Sequence, residues 1–169
     1  NLPQHRLPEM MVKEQNDLER IKFQFLIIST LEAMDEIDEA LAKLEQLKID
    51  DNHPYIAQAY YYKGQCYLRK NKWRQAERAF YNALRTSQHS NYKESNMEAA
   101  SYLMLGYTNF KLNRFEEALD YTNQGIQSFQ EEGENSFVKF HLVRTKARIL
   151  KRLNRITEGI RIIEEIWPS

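Results

Sequence analysis

Tyr60–Ala83 reads YYYKGQCYLRKNKWRQAERAFYNA, and Tyr102–Gly125 reads YLMLGYTNFKLNRFEEALDYTNQG. The two stretches share one grammar. Gly64 and Gly106 are each followed seven residues later by an asparagine, Asn71 and Asn113. An aromatic comes next, Trp73 or Phe115, and then a small residue, Ala76 or Ala118. A weaker copy keeps Ala147, Asn154 and Ile156, with Gly159 at the position of that alanine. A fainter one passes through Ile28, Ile37 and Ala40. Tandem repetition at this period marks a two-helix unit whose apolar face is exposed until neighbouring units stack on it. Gly64 and Gly106 remove a side chain where two helices approach closely, and Ala76 and Ala83 do the same from the second helix. Tyr67, Trp73 and Phe80 then fill the space beside that contact and the gap to the next pair.

Composition agrees with a helical scaffold. Gly and Pro are scarce, at 5 and 4 of 169 residues, which leaves little material for hairpins and favours long helices. Lys plus Arg and Asp plus Glu balance at 24 each, so bulk charge points to neither nucleic acid nor a membrane surface. The lone Cys66 excludes an internal disulfide and falls among packing residues as a small hydrophobe. It suits a reducing compartment, and with no signal peptide or membrane-length apolar run the expected location is cytoplasmic. The chain starts with Asn rather than Met and reads as a fragment of a larger protein.

Capping signals divide the chain into helices near 10–33, 36–48, 54–70, 72–88, 96–112, 114–131, 136–153 and 155–166. Asn52-His53-Pro54 reads as a cap with Pro in the first turn, and Ser95 with Glu98 reads as a capping box. Ser136 can cap a helix after a break at Glu132-Gly133-Glu134. Asn71, Asn113 and Asn154 sit at short joints, where Asn tolerates the left-handed conformation that an antiparallel pair needs. Residues 1–9 read as a loose lead-in or strap. The expected organisation is a lead-in and helix start over 1–20, then a single solenoid domain over 21–169.

The pattern resembles the tetratricopeptide repeat, whose 34-residue unit places small residues at positions eight, twenty and twenty-seven. Frames starting at Ala57 and Ala99 fit best, one starting at Phe140 fits less well, and one at Ile21 is degenerate. The second frame departs at Asn109 and Thr122, where an aromatic is usual. The resemblance implies an all-α, right-handed superhelix of about four antiparallel pairs. Frame starts at 21, 57, 99 and 140 give periods of 36, 42 and 41 residues. Lengthened repeats of this kind are similar to those of Gram-positive peptide-pheromone receptors of the Rap, NprR and PlcR type. That resemblance implies a groove for a short signalling peptide, an oligomerisation role, and in many relatives an N-terminal DNA-binding domain.

In such a solenoid the first helix of each pair lines the concave face. On this frame the peptide-binding candidates are Tyr61, Tyr62 and Gln65, then Leu103, Met104, Tyr107 and Phe110, then Arg144, Arg148 and Lys151. Gln58, Arg69, Lys111, His141 and Arg152 share those positions. The groove runs from polar-aromatic through apolar to basic, a chemistry suited to an extended peptide ending in a carboxylate. From Lys139 to Thr157 there are seven Lys or Arg and no acid, and Arg144, Arg148 and Arg152 recur on one helical face. Like charges at that spacing repel, so they call for an anionic partner or for acids on a neighbour such as Glu131, Glu132 or Glu158. No aromatic falls on that basic face, which argues against nucleic acid. The acid-rich stretch from Asp35 to Asp51 gives the two ends opposite charge, a basis for self-association as a homodimer.

Other chemistries find little support. The carboxylate clamp of tetratricopeptide co-chaperones falls here on Tyr61, Gln65, Met104, His141 and Thr145, and only Gln65 and His141 keep any similarity. His5, His53, His89 and His141 are scattered without a zinc-type i, i+4 pair. There is no phosphate loop and no nucleophile elbow. The sequence therefore predicts no enzyme, no catalytic or metal site and no cofactor. It predicts a peptide- or protein-binding domain, sensory in a bacterial regulator or, alternatively, a constitutive scaffold that clamps a partner segment without switching.

Overall fold

A computed structural model describes the backbone of residues 6–90, 96–129 and 136–166, and side chains over 11–90, 96–129 and 137–165. Within these the chain is all-helical: α1 (Arg6–Ala33), α2 (Ile37–Gln46), α3 (Ile56–Arg69), α4 (Trp73–His89), α5 (Met97–Lys111), α6 (Phe115–Ser128), α7 (Ser136–Arg152) and α8 (Ile156–Ile166). No strand occurs among the described residues. This is the all-α, tetratricopeptide-like architecture that the repeats imply.

The joints show why the pattern recurs. Asn71, Asn113 and Asn154 have φ of 55°, 60° and 59°. In each, the asparagine N–H donates three residues back and the next N–H donates five residues back, as in Lys72 N–H to Tyr67 O at 2.9 Å and Arg114 N–H to Asn109 O at 2.9 Å. This is a Schellman stop, which satisfies the orphan carbonyls of the first helix and reverses the chain in two residues. Asp35, with φ of 67°, closes α1 in the same way through Glu36 N–H to Leu31 O at 2.9 Å.

Two compact units are present, Asn1–Ile49 and Asp50–Ser169. In the first, Ile21, Phe25 and Ile28 of α1 and Ile37, Ala40 and Leu44 of α2 are buried. α1 already runs from Arg6, so residues 6–9 are helical rather than a loose lead-in; residues 1–5 lie outside the described residues.

In the second unit each helix packs on the next, and the odd-numbered helices also touch in series, α3 on α5 and α5 on α7. Neither α4 with α6 nor α6 with α8 approaches in this way. The layer whose members touch is the inner one, so α3, α5 and α7 line the concave side. Ala76, Phe80, Leu84, Tyr102 and Leu105 form a core between the first two pairs of this unit. Ala118, Leu119, Ile149 and Leu150, together with Ala99, Leu103 and Leu142, do the same for the next two. Gly64 is required by this packing, because a Cβ there would stand 2.5 Å from the Phe80 ring. Cys66 is fully buried, as a small core residue.

The start of α3 differs from the expectation. Pro54 lies in a turn before the helix, which begins at Ile56. The His53 ring accepts the Tyr55 backbone N–H through Nδ1 at 3.1 Å, occupying one of the donors at the helix entrance. Ser95, Glu132, Gly133 and Glu134 lie outside the described residues, as does the side chain of Ser136. Asn96, directly before α5, adopts φ of 63° and makes no side-chain cap to that helix.

Candidate functional site

The concave layer gathers residues from three helices. α3 contributes Tyr61, Tyr62 and Gln65, all half-buried. Tyr61 belongs to the packing as much as to the surface, because its ring meets Phe80 edge-on with centroids 5.6 Å apart. Of the α5 candidates, Leu103 is only 8% exposed and packs with Ala99 and Leu142. The groove reading of Leu103 is therefore corrected to core: its side chain is spent on α7 and offers a ligand almost nothing. Met104, Tyr107 and Phe110 keep part of their surface.

The consensus departures in the second frame resolve as a polar inset in the core. Asn109 is 1% exposed and its Nδ2 donates to Leu105 O at 3.0 Å. Its Oδ1 accepts from Arg114 at 3.5 Å, and Arg114 in turn pairs with Glu77 of α4 at 2.8 Å. Thr122 is fully buried and donates to Ala118 O at 2.7 Å. Side chains that bond their own helix backbone leave no polar atom stranded, so the shorter residues fit beside Gly106 without an aromatic.

At the basic end, Arg144, Arg148, Lys151 and Arg152 are all exposed on α7. Expecting no aromatics on this face was wrong, because they arrive from other helices. The Arg148 guanidinium lies 5.3 Å from the Phe110 ring centroid, and Arg152 lies 4.8 Å from that of Phe115. Phe110 and Phe115 themselves meet edge-on at 5.6 Å. The neighbouring Lys111 ammonium sits 5.5 Å from both Trp73 and Tyr107. Stacking holds the guanidinium plane and buries its stem while the charged edge stays accessible, which is how an Arg is prepared for a carboxylate.

Among the described residues, no carboxylate pairs with Arg144, Arg148, Lys151 or Arg152. The expected neighbour Glu158 is held by Arg155 at 2.8 Å, while Glu131 and Glu132 lie outside the described residues. Arg144, Arg148 and Lys151 also rim a cleft of about 630 Å³ walled by Phe140, Val143, Ala147 and Ile163.

Thr145, a would-be clamp position, is buried and faces the packing rather than a ligand. Among the described residues no cluster of three His, Cys, Asp or Glu could hold a metal ion. No described helix is long and apolar enough to cross a membrane.

Sequence reasoning placed the arginines correctly on one helical face but missed their stacking partners, which come from α5 and α6. The signal was present in the aromatic at the turn of the second frame, Phe115, two residues beyond its asparagine. None of the curated proteins matches the chain. Residues 55–131, which span the pairs α3–α4 and α5–α6, match the tetratricopeptide repeat family.

Proposed function

We propose that α3, α5 and α7 form a groove that binds an extended linear peptide or protein segment with its carboxylate at Arg148 and Arg144. Tetratricopeptide repeats generally mediate protein–protein interaction, and the observation that carries the finer reading is Arg148. Its guanidinium is stacked on Phe110 without a carboxylate partner among the described residues. Met104 and Tyr107 supply adaptable apolar contact, and Gln65 and Tyr62 supply bonds to a peptide backbone. The lengthened repeat period supports a sensory role in a bacterial regulator, with a signalling peptide as ligand and a change of oligomeric state as output. The oppositely charged ends support self-association, and the single buried Cys66 suits the cytoplasm.

A second reading, a constitutive scaffold, is favoured by the repeated Schellman joints, which hold each helix pair in one geometry. Light scattering with and without ligand separates the two, since a scaffold binds without a change in size.

Peptides that co-purify with the chain, identified by mass spectrometry, provide the ligand for calorimetry. An Arg–carboxylate bond in a partly desolvated groove contributes about 1.5–3 kcal/mol, so Arg148→Ala weakens binding roughly ten- to a hundred-fold. Amidating the peptide C-terminus mimics that loss, and the two changes together cost little more than either alone. Fully additive losses would show that Arg148 does not hold the carboxylate.

A further inference from the structure

Each frame of the Asp50–Ser169 unit carries a cation at the thirteenth position of its repeat: Arg69, Lys111 and Arg152. The seventeenth position, which opens the outer helix, is Trp73 in the first frame and Phe115 in the second. The Lys111 ammonium sits 5.5 Å from the Trp73 ring centroid, and the Arg152 guanidinium 4.8 Å from that of Phe115. One brace is thus built twice, each cation resting on the aromatic of the preceding pair. Both cations are exposed, and neither meets a carboxylate among the described residues. Stacking does not close this position. Lys111 stays exposed although α7 packs on α5, and Arg69 stays exposed although α5 packs on α3. A further pair after α8 would lengthen the row rather than cover it.

The spacing of the row specifies what fits. α5 touches α7, and packed helices lie about 8–10 Å apart, so equivalent cations on successive inner helices recur at about that interval. A β-strand returns a side chain to one face every two residues, at about 6.6–6.8 Å, which falls short. A polyproline II segment returns one every three residues at about 3.1 Å each, or about 9.3 Å, which matches. Its backbone makes no internal hydrogen bonds and leaves its amides to the groove. The braces also give each charge a fixed place, because the ring holds the cation while its polar edge stays open to an acid. Nucleic acid fits less well, since Trp73 and Phe115 are half-buried under their cations and offer bases no platform.

We infer that Lys111 and Arg152 bind an acidic partner segment in the polyproline II conformation, with acidic residues three apart in sequence, one on each cation. This rests on the groove reading and adds to it the conformation and acid spacing of the ligand.

The test uses the whole chain and fluorescein-labelled peptides of about nine residues, made of Pro and Ala with two Glu and a free C-terminus. In one peptide the Glu residues are three apart, and in its isomer two apart. Fluorescence anisotropy is expected to show the first binding about five- to ten-fold more tightly. Lys111→Gln and Arg152→Gln, both at exposed positions, each bring it close to the affinity of the isomer, with unchanged helical circular dichroism. Arg74→Gln, on the outer helix α4, leaves the preference intact. Equal binding of the two peptides, or a preference indifferent to both row variants, overturns the inference. If Arg148→Ala then weakens both peptides alike, the groove reading stands without it. Binding of neither peptide also overturns the inference, and the groove reading is then decided on the co-purified ligand. Binding of oligouridylate that both row variants abolish, with no binding of either peptide, would assign the row to nucleic acid instead.

Discussion

Two glycines at helix contacts, Gly64 on the first helix of one pair and Gly159 on the second helix of another, have opposite tolerance. A Cβ on Gly64 would stand 2.5 to 2.7 Å from three atoms of the Phe80 ring, which is itself fully buried and has nowhere to move. Gly64→Ala is therefore expected to destabilise by about 1–3 kcal/mol through overpacking. At Gly159 the nearest atom to a new Cβ is 3.6 Å away, ordinary contact distance. Gly159→Ala should stabilise by about 0.4–1 kcal/mol, because it restricts the unfolded chain and favours helix. Urea denaturation of both variants checks the pair, and a destabilised Gly159→Ala would show that α8 packs more tightly on α7 than the distances say. The glycines were legible in the sequence because a missing side chain at a fixed repeat position has one common use. The difference between them was not legible, since it depends on whether Phe80 or a smaller neighbour sits opposite.

At the scale of the element, the joints were the most readable part of the chain. Asn71, Asn113 and Asn154 announce left-handed turns because their short amide side chains lower the cost of positive φ, and all three adopt it. Asn113→Ala is expected to cost about 1–2 kcal/mol, whereas Asn113→Gly should stay within about 0.5 kcal/mol of the parent in thermal denaturation. An indifferent Asn113→Ala would mean that the α5–α6 joint relaxes out of the left-handed turn. Asp35 makes the same turn and was overlooked because aspartate is more often read as a charge than as a turn residue. The start of α3 was misjudged for a related reason. Pro54 reads as a first-turn residue, but the His53 ring takes the Tyr55 N–H and delays the helix. The site was half legible. Helical spacing put the arginines on one face of α7, yet their stacking on Phe110 and Phe115 depends on how three helices are juxtaposed.

For the whole molecule, two tyrosines make stability depend on alkaline pH. Burial raises the Tyr102 hydroxyl above the ordinary tyrosine range, the Gln88 side chain donating to it opposes that, and Glu98 adds to it. Burial also raises Tyr121, with Glu77 adding to the effect. Each is neutral when protonated, so the folded state holds these protons more tightly than the unfolded chain. Their stabilisation is complete below about pH 10, the unfolded tyrosine value, and is lost as pH rises through the folded values. Melting temperatures measured from pH 9 upward should fall more steeply for the parent than for Tyr121→Phe, and identical slopes would remove Tyr121 from the account. The packing within the Asp50–Ser169 unit has a mechanical consequence of its own. α3, α5 and α7 touch in series while α4, α6 and α8 are separated from one another. In a bent plate the layer whose parts stay in contact is the neutral surface, which keeps its length while the opposite layer opens or closes. Flexing this unit therefore changes the spacing along its back and leaves the pitch of the inner row fixed. A ligand lying on α3, α5 and α7 is measured against a ruler that does not stretch.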